Sequence, residues 1–509
     1  MTGRATGRGG EALLLQCEQN VIMKFSEPLR VLAPDEMERI HQAALTILAT
    51  IGMKVDHPEA CRALKLHGCQ ADEATGAVKF PRKIVQASVD RMRRAYANPA
   101  RSPARMPVRY SHIRFRTEPH RVHEDFTVST GGFCCFIYDF EGRRRPATLD
   151  DVHRAIALVN QLDEITYTGL PVSDQAVPAP LRPVKMAAEL AKYTTKFGGV
   201  ETFRKEDIPY LIDIATVVKG SEAALRAEPI LVGYGEVRSP LCLDFNMADI
   251  FMEYIRRGFP QTMDSMPNAG ATAPVTAAGT LALGAAETLG PLVLAHAINP
   301  DAIVGVDMLP SACDMQSGLY RYASPERWAM IAARVQLISE YYGCPSGIHG
   351  SKTDSCFFDE QAGFDKGLSM LVPVLAGAVG IGTAGHIENA VTFAPAQLVM
   401  DDAFAAAIRA MLRGITVNDE TLALDLIDEL GPQGDFLGAD HTHRHYREDW
   451  YPKLVDRRGY DAWQAAGSKT LGMRAHDKML SLLDRHQPEP LPADVQARLD
   501  EIVEQARQG

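Results

Sequence analysis

The stretch PSGIHGSKTDSCFFDEQAG, from Pro345 to Gly363, carries the densest set of reactive side chains in the chain. His349 follows an apolar pair and is flanked by glycines, so a ligand could approach its ring without steric hindrance. Lys352 and Asp354 follow within five residues, one suited to line a site and the other to pair at the surface. Phe357 and Phe358 suit packing, or one wall of a cation cage. Next comes GAVGIGTAGH, from Gly377 to His386. It matches neither the dinucleotide fingerprint nor the Walker pattern. Its glycines suit close approach of backbone to a large flat ligand, or tight packing.

The run His441-Thr442-His443-Arg444-His445 has the residue type of a metal site. As an extended strand it would place alternate histidines on one face, but only Asp440 offers a nearby carboxylate, so no metal site is expected there. Neither the H-E-x-x-H zinc motif nor a G-x-S-x-G nucleophile elbow occurs.

The elements that must position these groups alternate in type after about residue 125. Strands are expected at Thr127–Tyr138, Ile165–Val172, Thr195–Val200, Ile230–Tyr234, Gln261–Met266, Ala302–Met308, Pro345–His349 and Val379–Thr383. A helical pattern follows each one. Most of the strands are short apolar runs, as in a parallel sheet buried on both faces. Eight βα units favour an α/β fold of the (β/α)8 TIM-barrel type, with helical N-terminal and C-terminal extensions, over an open sheet. The expected division is a flexible extension over residues 1–22, a helical region over 23–124, the barrel over 125–414, and a helical region over 415–509 wrapping it.

In such a barrel, active-site groups come from the C-terminal ends of the strands. The candidates are Phe133, Asp174, Glu201, Tyr234 with Glu236, Asn268, Asp307, then Asp314, Gln316 and Arg321, then His349 to Phe358, and finally His386, Glu388 and Asn389.

The balance of 53 basic and 64 acidic residues, net −11, argues against nucleic acid as a partner. Nine cysteines without a C-x-x-C pair suit reduced thiols in the cytoplasm. Two uncharged stretches, Ser265–Ala286 and Gly367–Gly385, contain prolines and polar residues. They read as buried core and not as membrane spans.

Longer motifs go further. MPNAGATAPVTAAGTLAL at Met266–Leu283, SGIHGSKTDSCFFDEQAGFDK at Ser346–Lys366 and GDFLGADHTHRHYREDWYPKLVDRRGYDAW at Gly434–Trp463 resemble the trimethylamine methyltransferase family, specifically members that lack pyrrolysine and demethylate betaines. The resemblance runs from Phe25 to Gln505. It implies a (β/α)8 barrel and methyl transfer from a methylamine-type substrate to the cobalt of a separate corrinoid protein. A resident cobalamin is not expected. Asp151-Val152-His153 begins the D-x-H-x-x-G signature, but Ile156 stands at the glycine position.

Chemistry then restricts the substrate. Co(I) attack on a neutral tertiary amine needs prior activation, whereas a quaternary ammonium already leaves as a neutral amine. The chain has only the twenty standard residues, which favours a quaternary substrate such as glycine betaine. On this reading His349, Glu236 and Asp354 are the catalytic candidates. Phe133, Glu201, Tyr234 and Phe357 would hold the cation. A betaine carboxylate wants an arginine. Where D-M-R-T-G is expected this chain has Asp314-Met315-Gln316-Ser317-Gly318, so Gln316 and Arg321 become the candidates there. Gly385, His386 and Asn389 are assigned to the corrinoid side. A homo-oligomer is expected, and no membrane partner. Two other readings stay open: a barrel lyase or aldolase using Lys352 as a Schiff-base amine, and a non-catalytic relative that binds a quaternary amine.

Overall fold

The computed structural model describes residues 28–97, 125–132, 134–198, 201–231, 233–485 and 490–509. The expectations for residues 1–22 and for Phe133 lie outside them. The N-terminal region is helical only in part. Helices α1 (Pro34–Thr46) and α2 (Arg82–Ala97) flank a small sheet of Gln70–Asp72, Ala77–Lys79 and Met53–Val55, completed by Cys242–Leu243. The sequence reading caught only an extended piece near Val78, because three-residue strands are too short to show periodicity.

Beyond residue 125 the architecture is α/β. Strand β1 (Thr127–Val128) precedes α3 (Leu149–Asn160), α4 (Arg182–Tyr193) and α5 (Ile208–Lys219). Then β2 (Gly233–Val237) leads to α6 (Phe245–Arg256), β3 (Gln261–Ser265) to α7 (Ala277–Ile298), and β4 (Val304–Val306) to α8 (Pro325–Gln336). Last, β5 (Gly347–Ile348) leads to α9 (Glu360–Leu375), and β6 (Gly380–Ile381) to α10 (Pro395–Leu412).

Ladder hydrogen bonds gather these strands into two parallel arcs. In one, β5 pairs with β6 and β6 with β1, and bridges at Ser129–Tyr167 and Thr168–Phe197 continue it. In the other, β2 pairs with β3 and β3 with β4. The expected strands near residues 167 and 197 are thus reduced to isolated bridges. Between β4 and β5 a side chain makes the connection. Arg334 of α8 is fully buried; its Nε donates to Met308 O at 2.8 Å and its Nη2 to Gly347 O at 2.7 Å. A cavity of about 360 Å³ is lined from both arcs, by Thr127, Tyr167, Gly198, Tyr234, Thr262, Gly305, Gly347 and Gly380 among others.

Local chemistry sets the helix starts. Thr148 and Asp151 form a reciprocal capping box at α3. Asp244, Ser324 and Asp359 each accept a backbone N–H at the starts of α6, α8 and α9. Helix α7 is apolar on every face and buried from Thr280 to His296. It is long and apolar enough to cross a membrane, yet it packs against α1, α2 and β3 as a core helix. Each fully buried leucine or valine there contributes roughly 1.5–3 kcal/mol.

The C-terminal region divides. Helices α11 (Leu471–Arg485) and α12 (Ala493–Gln508) pack on α3 and on α4 and α5, respectively. Among the described residues, Ala406–Tyr451 form a second compact unit. It holds the short helices Asp419–Leu422, Leu424–Leu430 and Asp440–His445.

Candidate active site

Strand β2 bears Tyr234 and Glu236 on one face, since residues two apart in a strand point the same way. Its partner β3 sets Thr262 opposite Tyr234 and Asp264 opposite Glu236. The Tyr234 hydroxyl lies 2.9 Å from Glu236 Oε1 and 3.0 Å from Asp264 Oδ2. Expected just past its strand, Glu236 instead sits within it. The apolar Ile230-Leu231 drew the sequence reading three residues early, whereas the strand begins at Gly233.

Above this pair a second cavity of about 310 Å³ opens, lined by Glu201, Tyr234, Glu236, Tyr322, His349, Lys352 and His386 with several apolar residues. It adjoins the first, and Glu201, Tyr234 and His349 line both. The His349 ring stacks near Tyr234, with centroids 6.1 Å apart and planes 21° apart. Lys352 Nζ stands 3.8 Å from the centre of the Tyr322 ring, a cation–π contact.

Burial sets the charge states. The Glu201 carboxyl is pushed up to about 7 by desolvation, with Glu236 adding to the rise and Lys352 opposing it. Asp264 is raised by burial and by the Glu236 charge. Lys352 is brought down to about 7 by burial and the Arg327 charge. His349, lowered to about 3 by burial and by Lys352, is neutral at physiological pH. His386 is also driven far below its usual range by burial. Among the described residues, neither ring nitrogen of His386 makes a well-formed hydrogen bond; the Gly131 backbone is its weak neighbour.

A buried ion pair holds the loop that presents His349 and Lys352. Lys366 Nζ donates to Asp401 Oδ2 at 2.7 Å and to Ser351 O at 3.0 Å. Asp401 also accepts from Ser351 Oγ, Gly385 N and Gln397 Nε2.

Six of the sequence candidates therefore share one cavity: Glu201, Tyr234, Glu236, His349, Lys352 and His386. The others lie elsewhere. Asp354 spends both carboxylate oxygens on the Tyr322 and Ala323 amides, at 2.8 and 3.0 Å, which turns the loop bearing Tyr322. Phe357 is 41% exposed and stacks on Phe358. Gln316 is exposed on a turn capped by Asp314. Arg321 reaches Cys313 O at 3.4 Å. Gly385, with φ +82°, has no room for a β-carbon beside Phe393. Asn389 is one of three consecutive left-handed residues, Glu388 to Ala390, and its amide bonds Thr353 O.

Asp264, Tyr322 and Arg334 were missed. Asp264 had a readable signal: a lone acid two residues from Thr262 inside an otherwise uncharged strand. Tyr322 and Arg334 had none, because a loop and a helix deliver them from a distance.

The (β/α)-type alternation and a buried carboxyl cavity at strand ends define an enzyme-like site, and sequence comparison supplies the family. The chain belongs to the trimethylamine methyltransferase family, whose pattern it matches over residues 2–509. The trimethylamine methyltransferase of Desulfitobacterium hafniense is 32% identical over 477 residues, 92% of this chain and 92% of that one. That of Methanosarcina acetivorans is 31% identical over 494 residues, 94% and 95% of the two chains. The glycine betaine methyltransferase of Desulfitobacterium hafniense is 28% identical over 479 residues, 93% and 96% of the two. Among solved structures, the monomethylamine methyltransferase of Methanosarcina barkeri superposes with a TM-score of 0.46 at 12% identity, over 91% of this chain and 89% of that one.

Proposed function

We propose that this methyltransferase-family protein moves a methyl group from a quaternary, betaine-type amine to the Co(I) of a corrinoid carried by a separate protein. On the same reading the two arcs are one (β/α)8 ring with the reaction at its C-terminal rim. The observation that carries the proposal is the convergence of Glu201, Glu236 and Asp264 with the Tyr234 and Tyr322 rings on adjoining buried cavities. Buried carboxyl groups are costly to ionise without a partner, and a permanent cation offsets that cost.

The reaction needs no proton transfer. The Co(I) electron pair forms the carbon–cobalt bond, the carbon–nitrogen bond breaks, and its pair stays on nitrogen as a neutral tertiary amine. What this chain contributes is orientation and an anionic pocket. Neutral His349 adds no repulsion toward the cation. The ammonium form of Lys352, which lines the same cavity as Glu201 and Glu236, suits the carboxylate of a betaine, the role first assigned to Gln316 or Arg321. Exposed apolar side chains on the loops after the strands, Phe203 at 50%, Met315 at 75% and Leu319 at 60%, suit docking of a corrinoid protein. The chain's own Asp151 and His153 are engaged in α3, in the Thr148 cap and with Glu189 Oε2 at 2.8 Å. All eight described cysteines are free thiols, which supports a cytoplasmic setting; a homo-oligomer belongs to the same proposal.

One specific observation favours a second reading. A buried lysine brought down to about 7 is what an amine nucleophile requires. A carbonyl substrate with borohydride would trap Lys352 if that were its task.

The deciding experiment mixes the protein with a reduced corrinoid protein and a panel of N-methyl compounds, and follows conversion of Co(I) to methyl-Co(III) spectroscopically. Quaternary compounds should methylate cobalt and trimethylamine should not. Methylation from tertiary amines alone, or from none, would overturn the proposal.

A further inference from the structure

The unit Ala406–Tyr451 brings a second set of ligating side chains together. His441 and His445 lie one turn apart on the helix Asp440–His445, so they share a face. Their ring centroids are 4.4 Å apart. Glu420, from the helix Asp419–Leu422, supplies a carboxylate whose Oε1 is 3.3 Å from His445 Nε2. One ligand atom from each of these three residues lies within 4.8 Å of the other two. The sequence misled here in a definite way. Taken as a strand, HTHRH pairs alternate histidines and leaves Asp440 as the one nearby carboxylate. As a helix it pairs the first and last histidines, and the carboxylate comes from 21 residues upstream.

The surroundings are built like a metal site. His445 Nδ1 is 2.9 Å from Glu448 Oε1, the carboxylate contact that fixes tautomer and ring orientation in metal-bound histidines. Arg444 Nη2 donates to Glu420 Oε1 at 2.9 Å and so fixes that carboxylate beside the imidazoles. The adjacent cavity of about 870 Å³ is walled by Asp419, Asp425, Glu429, Asp435 and Asp440. An independent observation says that something must hold this segment together: none of residues 413–451 is buried. A stretch of that length without a core needs a staple of another kind.

We propose that Glu420, His441 and His445 bind a divalent cation of the zinc class, which pins residues 413–451. Two imidazoles and one carboxylate are a familiar zinc donor set, with the fourth position left to water. This proposal is independent of the methyl-transfer reading.

The test is made on the full-length protein, dialysed against zinc chloride and then against metal-free buffer. Elemental analysis should find one zinc per chain. Cobalt(II) in its place should show visible d–d absorption. His441→Ala and His445→Ala should abolish both signals. Glu448→Gln, which leaves the ligands in place, should weaken zinc affinity about 10- to 100-fold. Zinc should also slow proteolytic cleavage within residues 413–451, and EDTA should reverse that protection. Failure of the wild-type chain to retain zinc, or undiminished retention in both histidine variants, would overturn the site. Zinc bound without any change in cleavage would overturn the pinning.

Discussion

Glu236 and Asp264 stand opposite each other on adjacent parallel strands and share a single hydroxyl, that of Tyr234. A phenol has one proton to donate. Both contacts are satisfied together only when one carboxyl is protonated and donates to the phenol oxygen. The raised Asp264 is the group suited to do so. Tyr234→Phe removes the shared hydroxyl, and hydrogen bonds to charged groups contribute about 1.5–3 kcal/mol. The rate of cobalt methylation at low substrate should therefore fall about 10- to 100-fold. An unchanged kcat/KM would show that the pair does not face the substrate.

The position of Glu201 makes cation binding pH-dependent. Its carboxyl is held at about 7 by burial, and a cation favours the ionised form. Affinity for a quaternary ligand should rise as pH increases through 7 and level off above it, with protons released on binding near pH 7. The stability of the free protein runs the other way. Glu201 loses its proton near 4.5 when unfolded but near 7 when folded. Its contribution is thus complete below about pH 4.5 and is lost as pH rises through 7. Calorimetry in two buffers of different ionisation enthalpy reads the proton release, and urea titrations at several pH values read the stability. Glu201→Gln should flatten both profiles; a wild-type affinity constant from pH 6 to 8 would contradict the assignment.

How much of this was legible in the sequence depends on where each residue's partners lie. The runs near residues 167 and 197 form only isolated bridges, whereas most of the strand positions were readable because buried parallel strands leave short apolar runs. Tyr234, Glu236 and His349 were readable because they lie on those runs or at their ends. Asp354 and Phe357 looked equally promising, since the sequence cannot show that two amides 31 and 32 residues upstream claim Asp354. Arg334 stands in a helix like any other basic residue, and only folding reveals that its guanidinium spans the gap between β4 and β5.

Lys352 should discriminate between zwitterions and simple cations. If its ammonium group meets a carboxylate, Lys352→Gln should weaken binding of a betaine about 10- to 100-fold, the scale of a charge-assisted contact. Tetramethylammonium and choline lack that carboxylate, and their affinities should hold or improve, because a repelling charge is gone. Arg321→Ala should change neither class by more than about twofold. Equal losses for betaines and simple cations would assign Lys352 to folding of the loop.

The Lys366–Asp401 pair answers whether that loop depends on a charge or on shape. Both side chains are fully excluded from solvent, and Asp401 gathers Ser351, Gly385 and Gln397 around it. Lys366→Met leaves a buried carboxylate without its counter-charge, which costs about 3–5 kcal/mol. Asp401→Asn keeps the shape but strands the ammonium, with a loss of similar size. The double variant removes both charges and should recover a substantial part of that loss, so the two single effects will not add. Urea denaturation of the four proteins measures this coupling, and additive losses would mean that the two residues stabilise the fold independently.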